Sequence, residues 1–314
     1  MSKVAFVFPG QGSQTVGMGK ELYDNYEIAK ALFDKADAAL GFSIKDMCFN
    51  GPEEELKKTY NTQPAILTMS VICYELLKAK GLQPDIVAGH SLGEYSALVA
   101  AGSINFEDAV YLVHQRGKFM QEAVPLGQGG MAAVLGIERD AIVSICKDVS
   151  DQGESVQAVN FNCPGQVVIA GTLNGVEKAC ELLKEAGARR TIMLPVSAPF
   201  HSTLMQPAAE KLAVELAKID FKDAKIPVVA NVTGEVMTDA NIIKKLLVEQ
   251  AASPVKWEDC VAEICKHDVK DFVEVGPGKV LNGFNKKIDK TIVNFNVEDI
   301  ASLEKTLDYF KEVR

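Results

Sequence analysis

Asp85-Ile86-Val87-Ala88-Gly89-His90-Ser91-Leu92-Gly93 is the stretch on which the fold turns. Asp85 to Ala88 is a short apolar run of the kind that forms a buried strand, and the small residues after Gly93, through Ala101, predict a helix. Between them lies Gly-x-Ser-x-Gly. On a strand–turn–helix the serine occupies a strained turn, so its hydroxyl projects clear of the backbone. The flanking glycines remove side chains that would collide with neighbouring elements. The Leu92 N–H, at the helix start, faces any negative charge that develops on an attacked carbonyl. The same five residues could form a glycine-rich turn with an incidental serine, but the strand before and the helix after favour a nucleophile.

Outward from this elbow, Lys3 to Phe8 reads as a second buried strand, ended by Pro9-Gly10-Gln11-Gly12. Helical periodicity covers 19–39, 63–80 and 106–124. Pro125-Leu126-Gly127-Gln128-Gly129-Gly130 marks a change. After it come a strand at 131–135, a helix at 139–149, strands at 156–161 and 166–170, a helix at 175–186 and a strand at 190–196. That order, βαββαβ, is ferredoxin-like. Pro195 and Pro199 mark the exit. Strands at 227–230, 271–275 and 291–295 then alternate with helices. The expected fold is α/β, a hydrolase-like doubly wound parallel sheet formed by 1–126 and 198–314, interrupted by a ferredoxin-like subdomain at 127–197.

The bulk properties narrow the function. With 314 residues, 47% of them hydrophobic, the chain is long enough to bury a core without staples. A net charge of −9 speaks against nucleic acid and anionic membranes as default partners. The 7 cysteines contain no CxxC pair, so neither a disulfide framework nor a zinc ribbon is expected. Met1 to Pro9 is too short for a signal peptide, and no apolar run reaches the length of a membrane span, so a soluble, cytoplasmic protein is expected.

A serine needs a base, and His90, His114, His201 and His267 are available. His90 adjoins the nucleophile, where neighbours across a turn point apart. His114 lies within a helix, and His267 sits between Lys266 and Asp268. His201 follows Pro199-Phe200 at the return from the subdomain, a place where clefts form. Arg116 reads either as a solvated surface arginine or as a clamp for a substrate carboxylate. Gln11 is either a turn residue or a second oxyanion donor. Gly10-Gln11-Gly12 is no dinucleotide fingerprint, since Thr15 stands where the third glycine belongs.

Five motifs occur in a familiar order: Phe8-Pro9-Gly10-Gln11-Gly12-Ser13-Gln14, Gly89-His90-Ser91-Leu92-Gly93-Glu94-Tyr95, Arg116-Gly117 with Met120-Gln121, Phe200-His201-Ser202, and Glu274-Val275-Gly276-Pro277-Gly278. Together they resemble the malonyl-CoA:acyl carrier protein transacylases of bacterial fatty acid synthesis. The resemblance implies an acylated Ser91, His201 as its base, Gln11 and the Leu92 N–H as the oxyanion hole, and Arg116 as the malonyl carboxylate clamp. It also implies that the Gln250 backbone carbonyl orients the histidine, and that Phe200 leaves little room for a methyl branch. The implied partners are malonyl-CoA and an acyl carrier protein, acting on a monomer. No metal or cofactor is implied for this chain, because the phosphopantetheine belongs to the carrier. Carrier proteins are acidic, so docking calls for a local basic patch, for which Lys279, Lys286 and Lys287 are candidates. A serine thioesterase or lipase and an acyltransferase of a polyketide pathway are the competing expectations.

Overall fold

The computed structural model describes residues 3–196 and 198–313. Its strands run in chain order as β1 (Lys3–Phe8), β2 (Ile86–Gly89), β3 (Gly129–Leu135), β4 (Val156–Cys163), β5 (Gln166–Thr172), β6 (Arg190–Met193), β7 (Val228–Val229), β8 (Val236–Met237), β9 (Val269–Val275) and β10 (Val293–Val297). β1 is buried at every position after Lys3, because it lies in the middle of the larger sheet, of order β10-β9-β1-β2-β7-β8. Each neighbouring pair there is parallel except β7 with β8. The antiparallel edge was not foreseen, since two residues are too few to make a pattern. The smaller sheet, of order β4-β5-β3-β6, is antiparallel throughout. It is covered on one face by helices Arg139–Asp151 and Leu173–Glu185, whose Ile142, Val149, Val176 and Leu183 meet Ala132, Val134 and Ile169. This is the expected βαββαβ order. The expected end of the subdomain at Ser197 lies outside the described residues.

Two sequence expectations change. The helix expected over 19–39 is two helices, Lys20–Asn25 and Glu27–Leu40, parted by an extended Tyr26. The break sets Tyr23 edge-on to Phe33 and Phe49, a favourable aromatic geometry. The strand expected over 190–196 ends at Met193, and Leu194 and Val196 turn instead into the cleft between the sheets.

Helix Thr59–Ala79 runs through the core and is buried almost all round, with Pro64 inside it. Proline has no N–H, so the carbonyl of Tyr60, four residues back, loses its helical partner. His114 Nδ1 takes that place at 2.6 Å. His114 is thereby explained as structural. Its own helix, Phe106–Glu122, crosses at Gly117, where a Cβ would come within 2.5 Å of Tyr60 Cα. This close crossing brings Arg116 beside Gln63.

The smaller sheet is joined by backbone to the segment before helix Trp257–Lys266. Phe161 N–H donates to Val255 O at 2.9 Å, and Val255 N–H donates to Val159 O at 2.8 Å. Thr203 N–H donates to Gln157 Oε1 across the same seam. Six cysteines are buried and Cys265 is partly so, all as free thiols. No helix among the described residues is long and apolar enough to cross a membrane.

The glycines yield a paired prediction. A Cβ at Gly93 would meet Phe8 O at 2.1 Å, whereas one at Gly283, exposed within helix Val280–Ile288, meets nothing within 4 Å. Gly93→Ala is expected to destabilise by about 3 kcal/mol or more, and Gly283→Ala to stabilise by about 0.5–1 kcal/mol. Urea unfolding midpoints of the two variants check both signs.

Candidate active site

Among the described non-glycine residues, positive φ occurs at Ser91 (53°), His201 (63°) and Asp268 (61°). Two of these three are the proposed nucleophile and base, in keeping with strain collecting where chemistry is done. The strain at Ser91 is held from both sides. Its N–H donates to Asn231 Oδ1 at 2.7 Å, and its carbonyl accepts from Gln250 Nε2 at 2.9 Å. Asn231 is itself fixed by donating from Nδ2 to Gly89 O at 2.7 Å. A Cβ at Gly89 would lie 1.9 Å from Gly93 C, so the elbow closes only with glycine at both ends.

Ser91 Oγ lies 2.8 Å from His201 Nε2, and His201 Nδ1 lies 2.8 Å from the Gln250 backbone carbonyl. Gln250 is the last residue of helix Ala240–Gln250, so that carbonyl lacks an i+4 helical partner; besides a long 3.5 Å contact from Ser253 N–H it can accept from the histidine. It fixes the tautomer: Nδ1 carries the proton, and Nε2 is left to accept from Ser91. Burial, together with the nearby Arg116 cation, holds His201 down at about 3, below its ordinary 6.5, so the imidazole is neutral at rest.

Arg116 is not on the surface: it is 1% exposed. Its Nη1 donates to Gln63 Oε1 at 2.8 Å, and its Nη2 donates to Gln250 Oε1 at 2.9 Å and to Ser91 Oγ at 3.0 Å. The guanidinium lies over the Tyr95 ring, 5.6 Å from its centroid, and Nε is buried without a partner among the described residues. These acceptors are all neutral. The buried Glu94 carboxylate reaches the cation only through Gln250, so the atoms that touch the guanidinium leave a place for one negative charge beside Ser91.

The Leu92 N–H, at the start of helix Gly93–Ala100, has no acceptor among the described residues. At Gln11 the side-chain amide is turned aside, 3.4 Å from Thr59 Oγ1. The backbone N–H of Gln11 also has no acceptor among the described residues. These two N–H groups flank a cavity of about 120 Å³ lined by Ser91, His201, Arg116, Phe200, Met120 and Asn160, among others. Phe200 narrows it from the side of the return loop.

Of the remaining histidines, His90 also lines the cavity, but its Nε2 is engaged 2.9 Å from Asn162 Oδ1, and the exposed His267 lies away from it, 3.4 Å from Glu263. Sequence reasoning missed Gln63, Asn231 and Glu94. Each is a polar residue in an apolar setting: Gln63 inside the buried helix, Asn231 just after β7, and Glu94 on the small-residue helix. That placement was the available signal. Lys279, Lys286 and Lys287 lie exposed at the two ends of helix Val280–Ile288, away from these contacts.

Comparison with known proteins places this geometry. The acyl transferase domain family matches residues 5–305. The malonyl CoA-acyl carrier protein transacylase of Bacillus subtilis (strain 168) is 52% identical over 312 residues, covering 99% of this chain and 98% of the relative. A crystal structure of an acyl carrier protein S-malonyltransferase from Vibrio cholerae superposes with a TM-score of 0.95 at 49% identity, covering 97% of this chain and 100% of that one. A malonyl-transacylase in complex with its type II PKS acyl-carrier protein superposes with a TM-score of 0.96 at 46% identity, covering 98% and 100%.

The neutral His201 has a consequence for stability. An unfolded chain protonates this histidine at the ordinary 6.5, while the folded site resists until about 3. Its contribution is therefore complete above pH 6.5 and is lost as the pH falls toward 3. Between about pH 7 and about pH 4 the wild type should lose stability relative to His201→Asn. A difference in unfolding midpoint that stays constant over this range would contradict the assignment.

Proposed function

The chain belongs to the acyl transferase domain family and transfers malonyl groups from coenzyme A to acyl carrier protein; from that premise we propose the route the group takes, through an ester on Ser91. The observation that carries the route is the buried guanidinium, hydrogen-bonded only to neutral oxygens and 3.0 Å from the serine hydroxyl.

A malonyl thioester has a free carboxylate one methylene away from its reacting carbonyl. With that carboxylate on Arg116, the carbonyl comes to Ser91. His201 Nε2 takes the Ser91 proton as Oγ bonds to the carbonyl carbon, and the carbonyl electron pair moves onto the oxygen. The N–H groups of Leu92 and Gln11 receive that oxyanion, each contributing about 3 kcal/mol. Collapse breaks the C–S bond, and the coenzyme A sulfur takes the proton from His201. In the second half the carrier's phosphopantetheine thiol gives its proton to His201 and attacks the ester. The Ser91 oxygen leaves and recovers the proton.

The carboxylate also activates the base. After burial, Arg116 is the next largest cause that holds His201 low. A malonyl carboxylate on Arg116 cancels that field and restores basicity as the substrate arrives. An acetyl group leaves the cation uncompensated, so it loses both the ionic contact and the stronger base.

Ser91, His201, Arg116 and the two N–H groups complete this chemistry without a metal or cofactor in the chain. The reading places the protein in the cytoplasm as a monomer, its smaller domain bounded at 127 and 197. Fatty acid synthesis is the process the relatives' name implies. The relative complexed with a type II PKS carrier supports a polyketide carrier as the second reading. The exposed Lys286 and Lys287 are the proposed contact for an acidic carrier.

Three measurements test this. Intact mass after brief exposure to malonyl-CoA should show one malonyl group on the wild type and none on Ser91→Ala. Holo carrier protein should then discharge the adduct; equally fast loss to water alone would mark a hydrolase. Arg116→Ala should lower the malonyl-to-acetyl rate ratio roughly 100-fold, the loss of paired charge-assisted hydrogen bonds. Reversing Lys286 and Lys287 to glutamate should raise KM for the carrier and leave Ser91 malonylation unchanged. An unchanged carrier KM would place docking elsewhere.

A further inference from the structure

Glu94 takes no part in the route above, yet it is fully buried directly beneath it. Its Oε2 accepts from Gln250 Nε2 at 2.8 Å and from Asn231 N–H at 3.1 Å. Through these two residues it meets every strained or charged part of the site. Gln250 bonds Ser91 O, Arg116 Nη2 and, by its carbonyl, His201 Nδ1. Asn231 bonds Ser91 N–H.

The polarity of these contacts makes Glu94 informative. A glutamine side chain has nearly the same shape with its oxygen and nitrogen exchanged, so packing alone does not orient it. A carboxylate accepts only. Placed against Gln250, it acts with the Ser91 carbonyl, which also only accepts, to hold the amide NH₂ on their side, and so turns Oε1 toward Arg116; of the two, Glu94 alone carries a charge. We propose that Glu94 is a positioning residue for malonyl selectivity: by polarising Gln250 in one sense it aims the Arg116 guanidinium at the substrate carboxylate. This rests on the malonyl-serine reading above.

The pattern of burial agrees. The other carboxylate oxygen, Oε1, is buried without a partner among the described residues, so the group is kept there at a cost. Burial pushes Glu94 up to about 7. The charged and titratable groups facing it are Arg116 from helix Phe106–Glu122, Cys260 from helix Trp257–Lys266 and its neighbour Tyr95. Arg116 is the only cation of the three, and it favours the ionised form.

Glu94→Gln tests the idea, since it keeps the shape and removes the one-way polarity. Acylation of Ser91 by malonyl-CoA and by acetyl-CoA is measured for wild type, Glu94→Gln, Arg116→Ala and the double variant. The expected result is a fall of roughly tenfold in the malonyl-to-acetyl ratio, the loss of one hydrogen bond to a charge. In the Arg116→Ala background the same change should have no further effect on the ratio. The wild-type ratio should also fall as the pH drops through about 7 toward the flat profile of Glu94→Gln. A wild-type ratio in Glu94→Gln, or an equal fall with and without Arg116, would overturn the proposal. So would a Glu94→Gln protein too unstable to assay at alkaline pH, where removing a buried charge should do no harm. A wild-type enzyme without malonyl preference would instead sink the functional reading itself.

Discussion

The elbow helix lies so close to the central strand that no side chain fits between them. At Gly93 even a methyl group would lie 2.1 Å from the carbonyl oxygen of Phe8, and at Gly89 the clash is with the helix itself. This contact sets the turn between them, and the turn forces Ser91 into the left-handed region. A serine there is unfavourable by itself, so the surroundings must hold it. Asn231 and Gln250, from two other elements, bond its N–H and its carbonyl. Both residues are in turn tied to one carboxylate, Glu94, one turn along the same helix. The geometry of Ser91 is thus a property of several distant segments rather than of five residues.

The second organising feature is electrostatic. A folded protein rarely buries a guanidinium among neutral oxygens, because desolvation is then repaid only in part. Arg116 does this at a crossing that needs Gly117, beside a helix that carries Pro64. At rest Gln63 and Gln250 supply dipoles to the guanidinium, with the Glu94 carboxylate behind Gln250. On the proposed route the site is selective because dipoles are a poor substitute for a carboxylate in direct contact. The same cation depresses His201, so on that route affinity for the acyl group and strength of the base rise together.

Much of this was legible beforehand, for identifiable reasons. The elbow, the βαββαβ subdomain and the parallel sheet were read from local patterns with strong periods or punctuation. Ser91 and His201 followed from chemistry and chain position. Arg116 could not be placed from residues alone, because one arginine in an amphipathic helix carries no sign of which face it takes; only the ordered motifs decided it. Helix 19–39 broke at Tyr26 because aromatic packing among Tyr23, Phe33 and Phe49 overrode a continuous pattern. The antiparallel edge β8 had no pattern to read. Gln63, Asn231 and Glu94 were missed because their roles are relations between distant segments: the Glu94–Gln250 contact spans 156 positions.

The seam between the two sheets carries a last consequence. Val255, on the segment before helix Trp257–Lys266, donates to one residue of β4 and accepts from another, so the smaller sheet is stitched to the larger domain by main chain. Swinging the two apart would strip two amides of their partners, at about 1–3 kcal/mol each if they stay buried. The cleft between them is held by that seam. Phe200 and Met120 stand in the wall of that cleft, so on the proposed route the shape an arriving acyl group meets is set by the fold in advance.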